Sequence, residues 1–193
     1  MDKLEIARDQ CASGEVLQAQ ITLEAALRED GDDAGVRLAY AAVLLQLGDW
    51  QGGLDQLEVL RARAPWQPVI EAYTGGALLG LNRTTDAKDI LDAAYARDPH
   101  NIYILLKRGE LYCRLGIYSV AVDTLQQAQK VPCNDPRLRE AVRRLLRFAR
   151  KQDASGFIRN VPRPVDANPV SRLRRLVGAV SLVRPLRTVR EER

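Results

Sequence analysis

Residues 102–135 read IYILLKRGELYCRLGIYSVAVDTLQQAQKVPCND, and the order of small and bulky side chains in this stretch decides the fold. Gly109 and Tyr112 precede a turn at Gly116-Ile117-Tyr118, and Ala121, Leu125 and Ala128 follow it. Apolar residues recur at the i, i+3, i+4, i+7 spacing on both sides of Gly116, which predicts two helices of about 12 residues joined by a tight turn. Moving toward the amino terminus in steps of 34 residues, the turn position is occupied by Asn82-Arg83-Thr84, then Gly48-Asp49-Trp50, then Gly14-Glu15-Val16. The other positions keep the same step. Small residues stand at Ala19, Gly53, Ala87 and Ala121, and leucine four places later at Leu23, Leu57, Leu91 and Leu125. Ala26, Leu60, Ala94 and Ala128 come next, and Ala7, Ala41, Gly75 and Gly109 precede each turn.

A fixed period of this length is the signature of a stacked-repeat architecture. Each unit would be a helical hairpin, for example Val69 to Gly80 and Thr85 to Arg97. Glycine or alanine at the crossing points lets helix backbones approach, and each leucine knob contributes ~1.5–3 kcal/mol when fully buried. One hairpin cannot cover its own apolar side. Neighbours must do so, which makes stability a near-neighbour sum and leaves a curved stack with one concave face.

The pattern of small residues, leucine or aromatic knobs and a unit-ending proline resembles the tetratricopeptide repeat across about residues 1–135. Pro65 and Pro99 supply that proline in the second and third units, whereas Gly31 and Cys133 take its place in the others. Leu60 replaces the third small residue, and Lys3, Arg37 and Glu71 sit where the first bulky residue is usual. The resemblance implies an all-α fold, a right-handed superhelical solenoid of four hairpins with repeats at about 1–33, 34–67, 68–101 and 102–135.

Such a stack needs a terminal helix with a water-tolerant outer side. Asp135-Pro136 is a favourable helix start, an N-cap followed by proline in the first turn. Beyond it Leu138, Val142, Leu145, Leu146 and Ala149 form one stripe, with Arg139, Arg143, Arg147 and Arg150 on other faces. A capping helix is therefore expected at 136–151, closing a solenoid unit of 1–152. From Asp153 onward, Gly156, Pro162, Pro164 and Pro169 predict a linker leading into a basic tail over 153–193. Within it residues 171–184 have the pattern of a short amphipathic helix, with Leu173, Leu176, Val177, Val180 and Val183 opposite Arg172, Arg174 and Arg175.

The 193-residue chain is 46% hydrophobic and 28% charged, enough for a real core and too apolar for wholesale disorder. Its net charge of +4 conceals a division. Residues 1–135 hold 13 basic against 20 acidic side chains, and residues 136–193 hold 16 against 5. An acidic body thus carries a basic end, and the two ends call for separate partners. Three cysteines, Cys11, Cys113 and Cys133, are too few for a disulfide framework and lack metal or redox spacing, which fits a reducing compartment. The amino terminus has no apolar leader, and nowhere do ~18 apolar residues run uninterrupted. A soluble, cytoplasmic protein is expected.

Little in the chain points to chemistry. The single histidine, His100, falls in the Asp98-Pro99-His100-Asn101 turn between units, without fixed neighbours for acid–base work. Gly52-Gly53 and Gly75-Gly76 lie at helix-crossing phases and lack the Gly-x-x-x-x-Gly-Lys phosphate cradle. Cys11 and Cys113 are read as small apolar filler, too far along the stack to bond. No catalytic residue, metal ligand or cofactor is nominated.

The expected function is binding. In the repeat family the first helix of each unit lines the concave groove, which through the frame implies Leu4 and Arg8; Leu38, Ala42, Leu45 and Gln46; Val69, Ala72, Gly76 and Leu79; and Tyr103, Leu106, Glu110, Cys113 and Arg114. With Leu38, Leu45, Leu79, Tyr103 and Leu106 open to water, the groove would be an apolar patch suited to a partner segment. The basic pair-and-asparagine clamp by which one subset of the family grips acidic peptide termini is missing, since Leu4, Arg8, Ala39, Val69 and Tyr73 hold its places. An extended or helical segment docking through apolar anchors is expected instead. Arg172, Arg174 and Arg175 in the tail would make a second, salt-sensitive contact with an acidic protein face, this chain's own included, or with an anionic membrane surface. The alternative role is an assembly or regulatory factor whose tail targets a membrane or nucleic acid while the solenoid self-associates. Nucleic acid is the weaker target, because Phe157 is the only aromatic residue past Phe148.

Overall fold

The computed structural model describes residues 2–63 and 66–156. Among the described residues there are nine helices and no strand: α1 (Lys3–Ser13), α2 (Val16–Glu29), α3 (Ala34–Leu47), α4 (Trp50–Arg63), α5 (Pro68–Gly80), α6 (Thr84–Arg97), α7 (Ile102–Arg114), α8 (Tyr118–Lys130) and α9 (Pro136–Gly156). The closest packing is between sequence neighbours, α1 on α2, α3 on α4, α5 on α6 and α7 on α8, and α9 lies on α8 and touches α7. The expected tail helix at 171–184 and Arg172, Arg174 and Arg175 lie outside the described residues. α9 runs on through Asp153, where the sequence predicts a linker.

The 34-residue step reappears as backbone geometry. Gly14, Gly48 and Gly116 adopt φ of 89°, 87° and 75°, and Asn82 adopts 60°, the left-handed conformation that ends one helix and turns the chain into the next. Asparagine fills the third place because it tolerates this region better than other residues with a Cβ. Side-chain caps start other helices. Asp33 accepts from the Gly35 and Val36 amides, Asn101 from that of Tyr103, and Asp135 from those of Arg137 and Leu138.

The four small-residue and leucine positions are all interior. Leu23, Leu57, Leu91 and Leu125 are at most 1% exposed, and Ala19, Ala87 and Ala121 are fully buried. A Cβ on Gly75 would lie 2.6 Å from Leu91 Cγ, and one on Gly109 would lie 2.6 Å from Leu125 Cγ, so each glycine is the hole for its own hairpin's knob. The charged departures from the repeat pattern are tied to neighbouring helices. Lys3 pairs with Glu29 of α2, Arg37 donates to Gln56 of α4, and Glu71 pairs with Arg61 of α4 at 3.2 Å. At the fourth such place Leu105 is fully buried.

Spacing between the first helices of successive pairs is uneven. α5 lies close against α7, whereas α1 with α3 and α3 with α5 touch only thinly. The tight seam is made at Gly76, where a Cβ would meet the Lys107 side chain at 3.1 Å. Arg114 of α7 donates to the Leu79 carbonyl of α5, holding the same seam closed.

Candidate functional site

The loose seams open into a concavity of about 330 Å³. Its walls come from α1 (Ala7, Arg8, Cys11), α3 (Gly35, Leu38, Ala39, Ala42, Val43, Gln46), α5 (Val69, Tyr73) and α7 (Tyr103), with Leu23 of α2 behind them. Asp135 and the start of α9, Arg137 and Leu138, complete the lining. The chain curls enough for its first and last described helices to border one cavity. Two of the basic side chains, Arg8 and Arg137, come from these opposite ends and are both exposed.

The cavity is apolar with polar edges. Burial pushes the Tyr73 phenol up to about 12, assisted by Tyr103 and the Asp135 carboxylate. Tyr103 is raised as well, by burial and then by Asp135 and Cys133. Both phenols are therefore neutral at physiological pH and present hydroxyls that can donate as well as accept. The Asp135 carboxylate is engaged in capping α9. The Cys11 thiol is raised by burial, which outweighs the opposing effect of Arg137, and burial together with the charge of Glu110 lifts Cys113 to about 12. Neither is a ready nucleophile. Among the described residues no cluster of three or more His, Cys, Asp or Glu side chains could hold a metal ion, and no helix is long and apolar enough to cross a membrane.

Of the groove residues expected from the repeat frame, Arg8, Leu38, Ala42, Gln46, Val69 and Tyr103 line this concavity. Others do not, and the expectation that their leucines stand open to water is corrected. Leu79 is fully buried, Leu106 is 1% exposed and Leu45 is 8% exposed, all within the core. Leu45 is held by Gly53, whose missing Cβ would lie 2.4 Å from Leu45 Cδ2. Leu79 packs in one cluster with Leu111 of the closely approaching α7, whereas Leu106 packs in the cluster of α7, α8 and α9 that includes Leu138 and Val142. Ala72, 1% exposed, packs with Ala94 and Ile104.

Glu110 and Arg114 pair with each other rather than facing a ligand. Glu110 is 2% exposed and accepts from Arg114 at 3.1 Å and from Lys107 at 3.0 Å, two part-buried partners on the same helix α7. The sequence reading missed the contribution of α9 to the cavity. A repeat frame ranks positions within units, and no periodicity signals that residue 137 closes on residue 8. It also missed Arg108, whose guanidinium lies 3.8 Å from the Tyr95 ring centre and 2.9 Å from Asp92.

Residues 4–68 and 75–134 match the family model of the tetratricopeptide repeat. No protein of curated function matches the chain. Among solved structures, a thermophilic TPR protein of Thermus thermophilus is similar at 24% identity and a TM-score of 0.66, covering 92% of this chain and 96% of that one. MamA AMB-1 is similar at 21% identity and 0.55, covering 80% and 89%, and MamA MSR-1 at 19% and 0.52, covering 93% and 94%. At these identities the likeness shows the fold alone.

Proposed function

The chain belongs to the tetratricopeptide repeat family, and on that premise we propose that it is a non-catalytic scaffold that holds an apolar segment of a partner protein in its concavity. Four helix hairpins in a right-handed superhelix, with α9 as the terminal cap, form the holder. The observation that carries this reading is the cavity itself, lined by Leu38, Ala42, Val69, Tyr73 and Tyr103 with Arg8 and Arg137 at its ends. Apolar walls with a few polar groups suit anchor side chains of a docked segment, which the tyrosine hydroxyls would orient. The basic tail, through Arg172, Arg174 and Arg175, makes the second contact with an acidic surface of the partner. The protein is taken to work in the cytoplasm.

Selection of peptides from a random display library on the full chain tests the groove. Selected peptides should carry apolar anchors and should lose roughly tenfold or more in affinity for Leu38→Glu/Val69→Glu, a double variant that retains wild-type helicity because both side chains are half-buried. Equal affinity for the variant would refute groove binding. Removing residues 157–193 should then flatten the salt dependence of partner binding, and an unchanged salt slope would remove the tail from the scheme.

A further inference from the structure

Leu17 and Ile21, one turn apart on α2, are 59% and 58% exposed. The repeat frame makes them exceptional. Thirty-four, sixty-eight and one hundred and two residues later the Leu17 position holds Gln51, Thr85 and Ser119, and the Ile21 position holds Asp55, Asp89 and Asp123, all exposed. The architecture therefore puts this face in water in every unit, and only the first unit makes it apolar. The fourth unit departs in the same way at another place. Ile117 is 43% exposed where the other units carry the exposed, charged Glu15, Asp49 and Arg83. Val120 is 38% exposed where they carry Gln18, Gly52 and Asp86, and Leu115 beside them is 43% exposed.

Charge distinguishes the two patches. Residues 1–33 contain nine acidic and three basic side chains, a net of −6, with exposed Glu15 beside Leu17, while Glu24 near Ile21 is paired with Arg28 at 2.6 Å. The fourth-unit patch adjoins α9, because Tyr118 of α8 meets Phe148 of α9 edge to face at 6.3 Å. α9 carries seven basic residues against Glu140 and Asp153, a net of +5, and three of its arginines share the single carboxylate of Glu140. Arg147, Arg150 and Lys151, close to Phe148 in the chain, are exposed.

We infer that the occupant of each patch is a second copy of this chain, joined head to tail, with the Leu17/Ile21 face of the acidic first unit of one molecule on the Ile117/Val120 face and basic α9 of the next. Pairing like with like would set −6 against −6, so the contact is heterologous. A heterologous contact that does not close builds open chains. Five apolar side chains make a small interface, which gives weak, concentration-dependent association that salt weakens. This self-association is independent of what the concavity holds.

Sedimentation velocity of the full chain, from micromolar to about 1 mM protein, tests it. The weight-average sedimentation coefficient should climb with concentration past the dimer value and fall back in high salt. Leu17→Asp/Ile21→Asp and Ile117→Asp/Val120→Asp should each be monomeric with wild-type helicity, since all four positions are on the surface. Mixed one to one, the two variants retain one intact face each and should form dimers and nothing larger. A wild type that stays monomeric over the whole range overturns the inference. So does self-association undiminished in either variant, or a mixture that remains monomeric.

Discussion

Leu91 sits in the space left by the absent side chain of Gly75, with its Cγ 2.6 Å and its Cδ1 3.0 Å from where a Cβ would stand. The pair is repeated 34 residues later by Leu125 and Gly109. Alanine at Gly75 would gain about 1 kcal/mol of helix propensity, yet forcing a methyl into the Leu91 side chain costs ~1–3 kcal/mol. Overpacking wins, and Gly75→Ala should lower the urea unfolding midpoint. Combining it with Leu91→Ala should give less destabilisation than the sum of the two single changes, because the second removes the obstacle met by the first.

Asn82 occupies the left-handed turn that glycine occupies in the other three units. It is exposed, so its replacement tests backbone conformation with little packing change. Asn82→Gly should raise stability by a few tenths to about 1 kcal/mol, and Asn82→Ala should lower it by about 1 kcal/mol. Thermal unfolding read by circular dichroism distinguishes the two signs.

Glu110 bonds both Lys107 and Arg114, and all three side chains are nearly enclosed. Glu110→Ala strips two part-buried cations of their shared carboxylate and should cost up to about 3 kcal/mol in equilibrium unfolding, below the loss for a fully buried pair because Arg114 keeps its bond to the Leu79 carbonyl. Adding Lys107→Met should recover part of that loss, since one of the stranded charges is removed. Additive losses would show that the triad does not act as a unit.

Asp92 gives stability a measurable acid dependence. Burial by itself pushes its carboxyl up, but hydrogen bonds and charge from Lys88 and Arg108 more than offset this and hold it below the ordinary 3.8. A folded-state value below the unfolded one means the contribution is complete above 3.8 and is lost as acid protonates the folded form. Asp92→Asn should therefore cost about 1 kcal/mol near neutral pH, a figure reduced by solvent screening, and the gap to wild type should close as pH drops under that point. Unfolding midpoints of both proteins across an acid series measure it.

The repeat frame made the architecture legible from the chain alone, because a 34-residue step constrains turns and crossing points together. Gly14, Gly48, Asn82 and Gly116 share one backbone conformation, and Leu23, Leu57, Leu91 and Leu125 share one degree of burial. The groove was legible only in part. Leu38, Val69 and Tyr103 line it, but Leu79 and Leu106 have the same amphipathic spacing and are core. What separates them is the neighbour each meets: α7 stands close to α5 at Leu79, held by Gly76 against Lys107 and by the Arg114 bond to the Leu79 carbonyl, while α9 packs on Leu106. Periodicity assigns a residue to a side of its helix and carries no information on how far away the next helix stands. The role of α9 at the cavity was hidden for a related reason, since it follows from the accumulated curl of the whole chain.

Seven helices separate Arg8 on α1 from Arg137 on α9, and both border one opening. The aperture is consequently a gauge of the entire helix stack, adding up the small angle at every joint between its two rims. A substitution deep in a distant hairpin can widen or pinch it without touching the lining, and a segment docked there as proposed would brace the stack from end to end. Rigidity of the stack and width of the opening are then one mechanical property.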